Sequence, residues 1–166
     1  MLACYHSAMT IFGFIVVAIL IVLLIWLSII DIRERRLPNR LVLAVAMLGL
    51  VLTVVQCIYI SSWLPLKSSF VGMFLTAAPA LLFSPLYYFV RKQEGFGAGD
   101  IKLLAALGLH LGAIGILLLP LASLLAALVT LPQLLFNKEK ARKHTLAFGP
   151  YISVAAILLL TFIMLY

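Results

Sequence analysis

The chain has 166 residues, of which 66% are hydrophobic and only 10% charged, and its formal net charge is +7. A soluble domain is closer to half apolar and a quarter charged, so composition excludes a soluble fold and leaves one membrane-embedded domain spanning residues 1–166. The excess of positive charge does not mark a nucleic-acid binder, because the basic residues fall in short links between apolar runs instead of forming a groove-sized patch.

A membrane-crossing helix needs about 20 apolar residues. The first such run is predicted from about Thr10 to Ile30. No Lys or Arg precedes it, so it is expected to stay as a helix and not to be removed as a signal peptide. A charged stretch follows, from Asp31 through Arg33, Glu34, Arg35 and Arg36 to Leu37-Pro38-Asn39-Arg40. Pro38 disfavours helix at Leu37 and marks a turn. The second helix is expected from about Leu41 to Ile60, and the third from about Phe70 to Val90, with Pro79 and Pro85 as tolerated kinks. From Ile101 to Phe136 the chain is apolar for longer than one span requires. Gly112, Gly115 and Pro120 divide it into a short fourth helix, Ile101 to about Leu111, and a fifth from about Ala113 to Phe136. A sixth helix runs from about Phe148 to Tyr166. The expected architecture is an all-α polytopic membrane protein with about six transmembrane helices.

The links alternate in charge. Those near 31–40, 91–100 and 137–147 hold eleven of the twelve Lys and Arg residues when Lys102 is counted at its loop's edge, and Lys67 is the twelfth. By the positive-inside rule the three rich links are cytoplasmic, facing anionic membrane lipid. Six spans then put both termini outside. Asp31 falls at the inner end of the first helix and Asp100 at the inner start of the fourth, so residues far apart in sequence are expected at one depth.

The chain has only five acidic residues: Asp31, Glu34, Glu94, Asp100 and Glu139. A carboxylate beside hydrocarbon is costly, which makes such a group a functional candidate. Two that converge in a dry site can share one proton and split a peptide bond with water. Gly97-Ala98-Gly99-Asp100 is a small-residue turn into a helix, where Gly97 and Gly99 would let a substrate backbone pass close to the carboxyl. An Asp there also suits a helix N-cap, and both roles are compatible. Asp31 alone, beside three arginines, would read as a solvated loop acid; a second acid at matching depth reverses that reading.

Asp31-Ile-Arg-Glu-Arg-Arg-Leu37-Pro38-Asn39 resembles the first signature of the type IV prepilin peptidases. Gly95-Phe96-Gly97-Ala98-Gly99-Asp100-Ile101-Lys102-Leu103-Leu104-Ala105-Ala106-Leu107-Gly108 resembles the second, the G-x-G-D block. Phe148-Gly149-Pro150-Tyr151 is similar to the Phe-Gly-Pro that opens the family's last helix. The likeness extends over about residues 20 to 160. It implies a bacterial inner-membrane aspartic endopeptidase with Asp31 and Asp100 as the catalytic pair and no cofactor for the cleavage. The implied substrate is a pilin or pseudopilin precursor, in a type IV pilus or type II secretion system, cut at the cytoplasmic face after the glycine that ends a basic leader. Longer members add a cysteine-rich part and methylate the new N-terminus. The chain starts straight into its first helix without those four cysteines, so a short form without methylation is expected. Presenilin-like proteases share G-x-G-D but have Tyr before the first Asp, where this chain has Ile30.

Of the pair, Asp100 is expected to be the base, because a helix N-terminus favours the anion, and Asp31 the acid, because a helix C-terminus disfavours it. His110 is expected to pack at the outer end of the fourth helix, His144 to face lipid in a basic loop, and Glu34 and Glu94 to be solvated loop acids. Gly108 and Gly112 form a G-x-x-x-G pair suited to close helix packing. Cys4 and Cys57 make no C-x-x-C metal site; they fall toward the outer face, where they could pair or simply pack. The rival to a peptidase is a small ion or proton transporter, which would need acids at mid-membrane or on both faces.

Overall fold

The computed structural model describes residues 2–91, 97–136 and 148–165, and among them it contains helices and no strand. Among these residues six α-helices follow in order: α1 (Leu2–Glu34), α2 (Asn39–Ile60), α3 (Leu64–Arg91), α4 (Ala98–Leu111), α5 (Leu118–Phe136) and α6 (Gly149–Leu165), with a 3-10 segment, Gly112–Leu117, joining α4 to α5. The protein is an all-α polytopic membrane protein. Four described stretches are long and apolar enough to cross a bilayer: Ile11–Glu34, Asn39–Ile60, Leu64–Pro85 and Ala98–Leu131; Gly149–Ile163 is a shorter apolar helix. With 14 residues, α4 is about 21 Å long and does not reach across a hydrocarbon core of about 30 Å unaided.

The helix ends follow local chemistry. Arg35 takes a left-handed φ of 51°, and its N–H donates to the Asp31 carbonyl at 2.9 Å, which closes α1. Pro38 then sits at φ −67° and ψ 122° as the residue before α2; its fixed φ suits that position. At the other end Ser61 is left-handed, and its backbone N–H caps the Cys57 and Ile58 carbonyls. Several helices begin earlier than the apolar runs do. α1 starts at Leu2 and not near Thr10, and α3 at Leu64 and not near Phe70, because Pro65 is tolerated in a helix's first turn. α3 also continues through Pro79 and Pro85.

α4 lies at the centre, packed against α2, α3 and α6, while α6 also packs against α1 and α5. Leu103, Leu104 and Leu107 of α4 are fully buried, as are Leu20, Leu24 and Leu27 of α1, Val45 of α2, and Ile152, Ala155 and Ala156 of α6. The outside is apolar too: Ile15, Trp26, Phe74, Phe83 and Leu128 are all exposed. Apolar surface all round a bundle is what lipid requires. Helix contact then depends on small residues. The α3–α4 seam is the clearest case: a Cβ added to Gly108 would come within 2.5 Å of the Gly72 carbonyl oxygen, and one added to Gly72 would collide with the Gly108 and Gly112 carbonyls.

Candidate active site

The first motif brings Asp31 to the last turn of α1. The helix ends just past it, and the link that follows runs onto α4. Leu37 lies over Gly99, where an added Cβ would come within 2.9 Å of the Leu37 Cβ. Two residues later, the Asn39 side-chain oxygen accepts a hydrogen bond from Lys102 Nζ at 3.1 Å. The start of α2 and the start of α4 are therefore tied together, and the two motifs meet at one end of the bundle. Gly99 is half-buried by this contact, while Gly97 remains exposed beside Asp100.

Asp100 is not the N-cap. Gly97 holds that position, with φ −64° and ψ 141°; its carbonyl accepts the Asp100 N–H at 3.0 Å. Asp100 stands three residues into the turn, and its carboxyl turns back toward Gly97, with Oδ2 3.4 Å from where a Cβ on Gly97 would lie.

Asp31 is only 6% exposed. Its Oδ2 accepts a hydrogen bond from the Gly149 backbone N–H at 3.0 Å, across 118 positions of sequence. Gly149 is the first residue of α6, so the N-terminal end of α6 points at Asp31. The negative charge of Asp31 in turn reaches the Asp100 carboxyl. The two acids thus share one region, Asp31 held by a backbone N–H donor and Asp100 in the first turn of α4. Asp31, in the last turn of α1, thus also faces the N-terminal end of α6, an influence that the expected contrast between the two acids did not include. α1's own C-terminal end, which suggested that contrast, is opposed by α6.

Sequence reasoning gave Gly149 no role. Phe148-Gly149-Pro150 stands out in the sequence only as part of a family likeness, because a main-chain donor leaves no mark in side-chain chemistry. Other candidates lie apart from the acids. His110, in the last turn of α4, packs against Gly49 and places its Nε2 2.9 Å from the Val45 carbonyl. Glu34 and Arg33 are exposed at the end of α1. Glu94, Glu139 and His144 lie outside the described residues, and so does the Cys4 side chain with its suggested partnership to Cys57. Among the described residues no three His, Cys, Asp or Glu side chains gather as a metal site would require.

An apolar, all-α bundle that draws two carboxyls together at one end, each against a helix N-terminus, defines a polytopic membrane protein built around an acid pair. Residues 18–131 match the model of the type IV leader peptidase family, and the chain belongs to that family. Relatives named prepilin leader peptidase/N-methyltransferase include those of Xanthomonas campestris pv. campestris, 36% identical over 143 residues (80% of this chain, 44% of the relative), and Pseudomonas putida, 34% identical over 149 residues (87% and 50%). That of Neisseria gonorrhoeae is 30% identical over 143 residues (86% and 47%). The chain thus spans about half the length of these relatives. No solved structure matches it.

Proposed function

We propose that this chain is an intramembrane aspartic endopeptidase that removes the basic leader from type IV pilin-like or pseudopilin precursors at the cytoplasmic face of the bacterial inner membrane. The observation that carries this reading is the meeting of Asp31 and Asp100 at one end of the bundle, in a chain of the leader peptidase family. Water held between the carboxyls loses a proton to the ionised member as its oxygen attacks the scissile carbonyl. The protonated member donates to that carbonyl's oxygen; the proton taken from water then goes to the leaving amine as the C–N bond breaks, and one gem-diol hydroxyl returns its proton to the member that donated. The pair shares one proton because two adjacent carboxylates resist joint ionisation.

Family membership and the relatives' names support the substrate class. The precursor's first helix would lie in the bilayer beside the bundle, with its basic leader outside the hydrocarbon. The basic links favour an orientation in which the acid pair faces the cytoplasm. A transporter reading gains nothing from the fold, because the described acids Asp31, Glu34 and Asp100 lie near one end and none lies along the rest of the bundle.

The test is direct. Purified protein in lipid nanodiscs is incubated with a pilin precursor and the product N-terminus is sequenced. Cleavage is expected after the leader's last glycine, and Asp31→Asn and Asp100→Asn should each remove it. Cleavage that survives either substitution overturns the assignment.

A further inference from the structure

We propose that Gly149 is a positioning residue for the acid pair: its backbone N–H fixes the Asp31 carboxyl, and its lack of a side chain is what lets α6 come close enough to do so. This rests on the peptidase reading above.

The first backbone N–H groups of a helix have no partner within it, and a buried one must find a partner elsewhere. At α6 these donors can be followed one by one. Pro150 has no N–H. Tyr151 and Ile152 donate to the Phe148 carbonyl, at 3.1 and 3.2 Å. Gly149 alone is left, and its N–H goes to Asp31 Oδ2 at 3.0 Å in a buried contact. The helix end therefore presents a directed donor, with its partial positive charge behind it.

A side chain here would displace the Asp31 carboxyl. A Cβ at residue 149 would come 2.6 Å from Oδ2, 3.1 Å from Cγ and 3.4 Å from Cβ of Asp31. All three belong to the carboxyl arm itself, so any added group pushes directly on the reacting acid. Ser153, one turn on, donates its hydroxyl to the Gly149 carbonyl at 3.0 Å, and Ile152, Ser153, Ala155 and Ala156 are buried behind it. The donor therefore sits on a packed helix. With Oδ2 held by Gly149, Oδ1 has no protein partner among the described residues and is the oxygen left for water.

The experiment uses the full chain in nanodiscs with a pilin precursor. Gly149→Ala adds the methyl group, and an amide-to-ester exchange at residue 149 removes the N–H without adding bulk. Both are expected to lower kcat about 10- to 100-fold, the range for loss of one hydrogen bond to a charged group, while KM stays within about twofold. The second readout is thermal stability in a double-mutant cycle. The destabilisation by Gly149→Ala should be relieved in an Asp31→Ala background, where the clashing carboxyl is gone. The inference is overturned if kcat of both altered proteins stays within twofold of the parent. It is also overturned if the cost of Gly149→Ala persists undiminished beside Asp31→Ala. A parent protein that cleaves nothing, or an Asp31→Asn protein that still cleaves, overturns the peptidase reading instead. The stability cycle answers the Gly149 question in either event.

Discussion

Gly108→Ala should damage the bundle far more than the size of a methyl group suggests. The added Cβ would stand 2.5 Å from the Gly72 oxygen, 2.7 Å from the Met73 Cα and 2.8 Å from the Gly72 carbonyl carbon. All three are backbone atoms of α3, so no side chain can swing aside. Ordinary contact begins at 3.4 Å, so α4 must move away from α3 by about 0.9 Å at this point. Overpacking of this kind costs about 1–3 kcal/mol. α4 also carries Asp100, and a displacement of about 1 Å in a reacting group can cost about 100-fold in rate. Thermal unfolding in detergent and precursor cleavage measure the two effects. Gly13→Ala is the control, because nothing lies within 4 Å of a Cβ there; it should leave stability unchanged or raise it slightly. A Gly108→Ala protein that melts and cleaves like the parent would refute close backbone contact at the α3–α4 seam.

Asp31→Asn keeps an acceptor for the Gly149 N–H, whereas Asp31→Leu leaves that buried donor unpaired; the Leu protein should be less stable by about 1–3 kcal/mol, as read by chemical or thermal unfolding, while both are inactive. Thr53→Val removes the buried 2.9 Å hydrogen bond to Ser69 that joins α2 to α3, and should cost about 1–2 kcal/mol, since the Ser69 hydroxyl loses its partner. The exposed Lys102–Asn39 bond should show a coupling below about 1 kcal/mol in a double-mutant cycle, which unfolding of the Lys102→Met, Asn39→Ala and double variants will measure.

The helical, lipid-facing character was legible because bulk hydropathy reports it directly. The convergence of Asp31 and Asp100 was legible for a different reason: charge alternation between links puts both acids at one expected depth without any knowledge of packing. Helix starts were less so. Leu2 to Met9 includes His6 and Ser7, which weaken an apolar signal without stopping a helix, and the Leu64-Pro65 start of α3 was hidden by a polar stretch around Lys67. The purpose of Leu37-Pro38-Asn39 could not be read, since it depends on Gly99 and Lys102 lying opposite. Gly149 was the least visible of all. Its contribution is a peptide N–H, which every residue except proline has, and only the approach of α6 to α1 singles it out.

The bond between Asp31 and Gly149 joins the first described helix to the last. During synthesis, a ribosome that has delivered α1 through α5 has already placed both aspartates in the bilayer. Until α6 packs against α1, the Asp31 carboxyl lacks the Gly149 N–H that it accepts in the finished bundle. The contact thus makes the order around Asp31 depend on the whole length of the described bundle and not on the two motif-bearing helices alone.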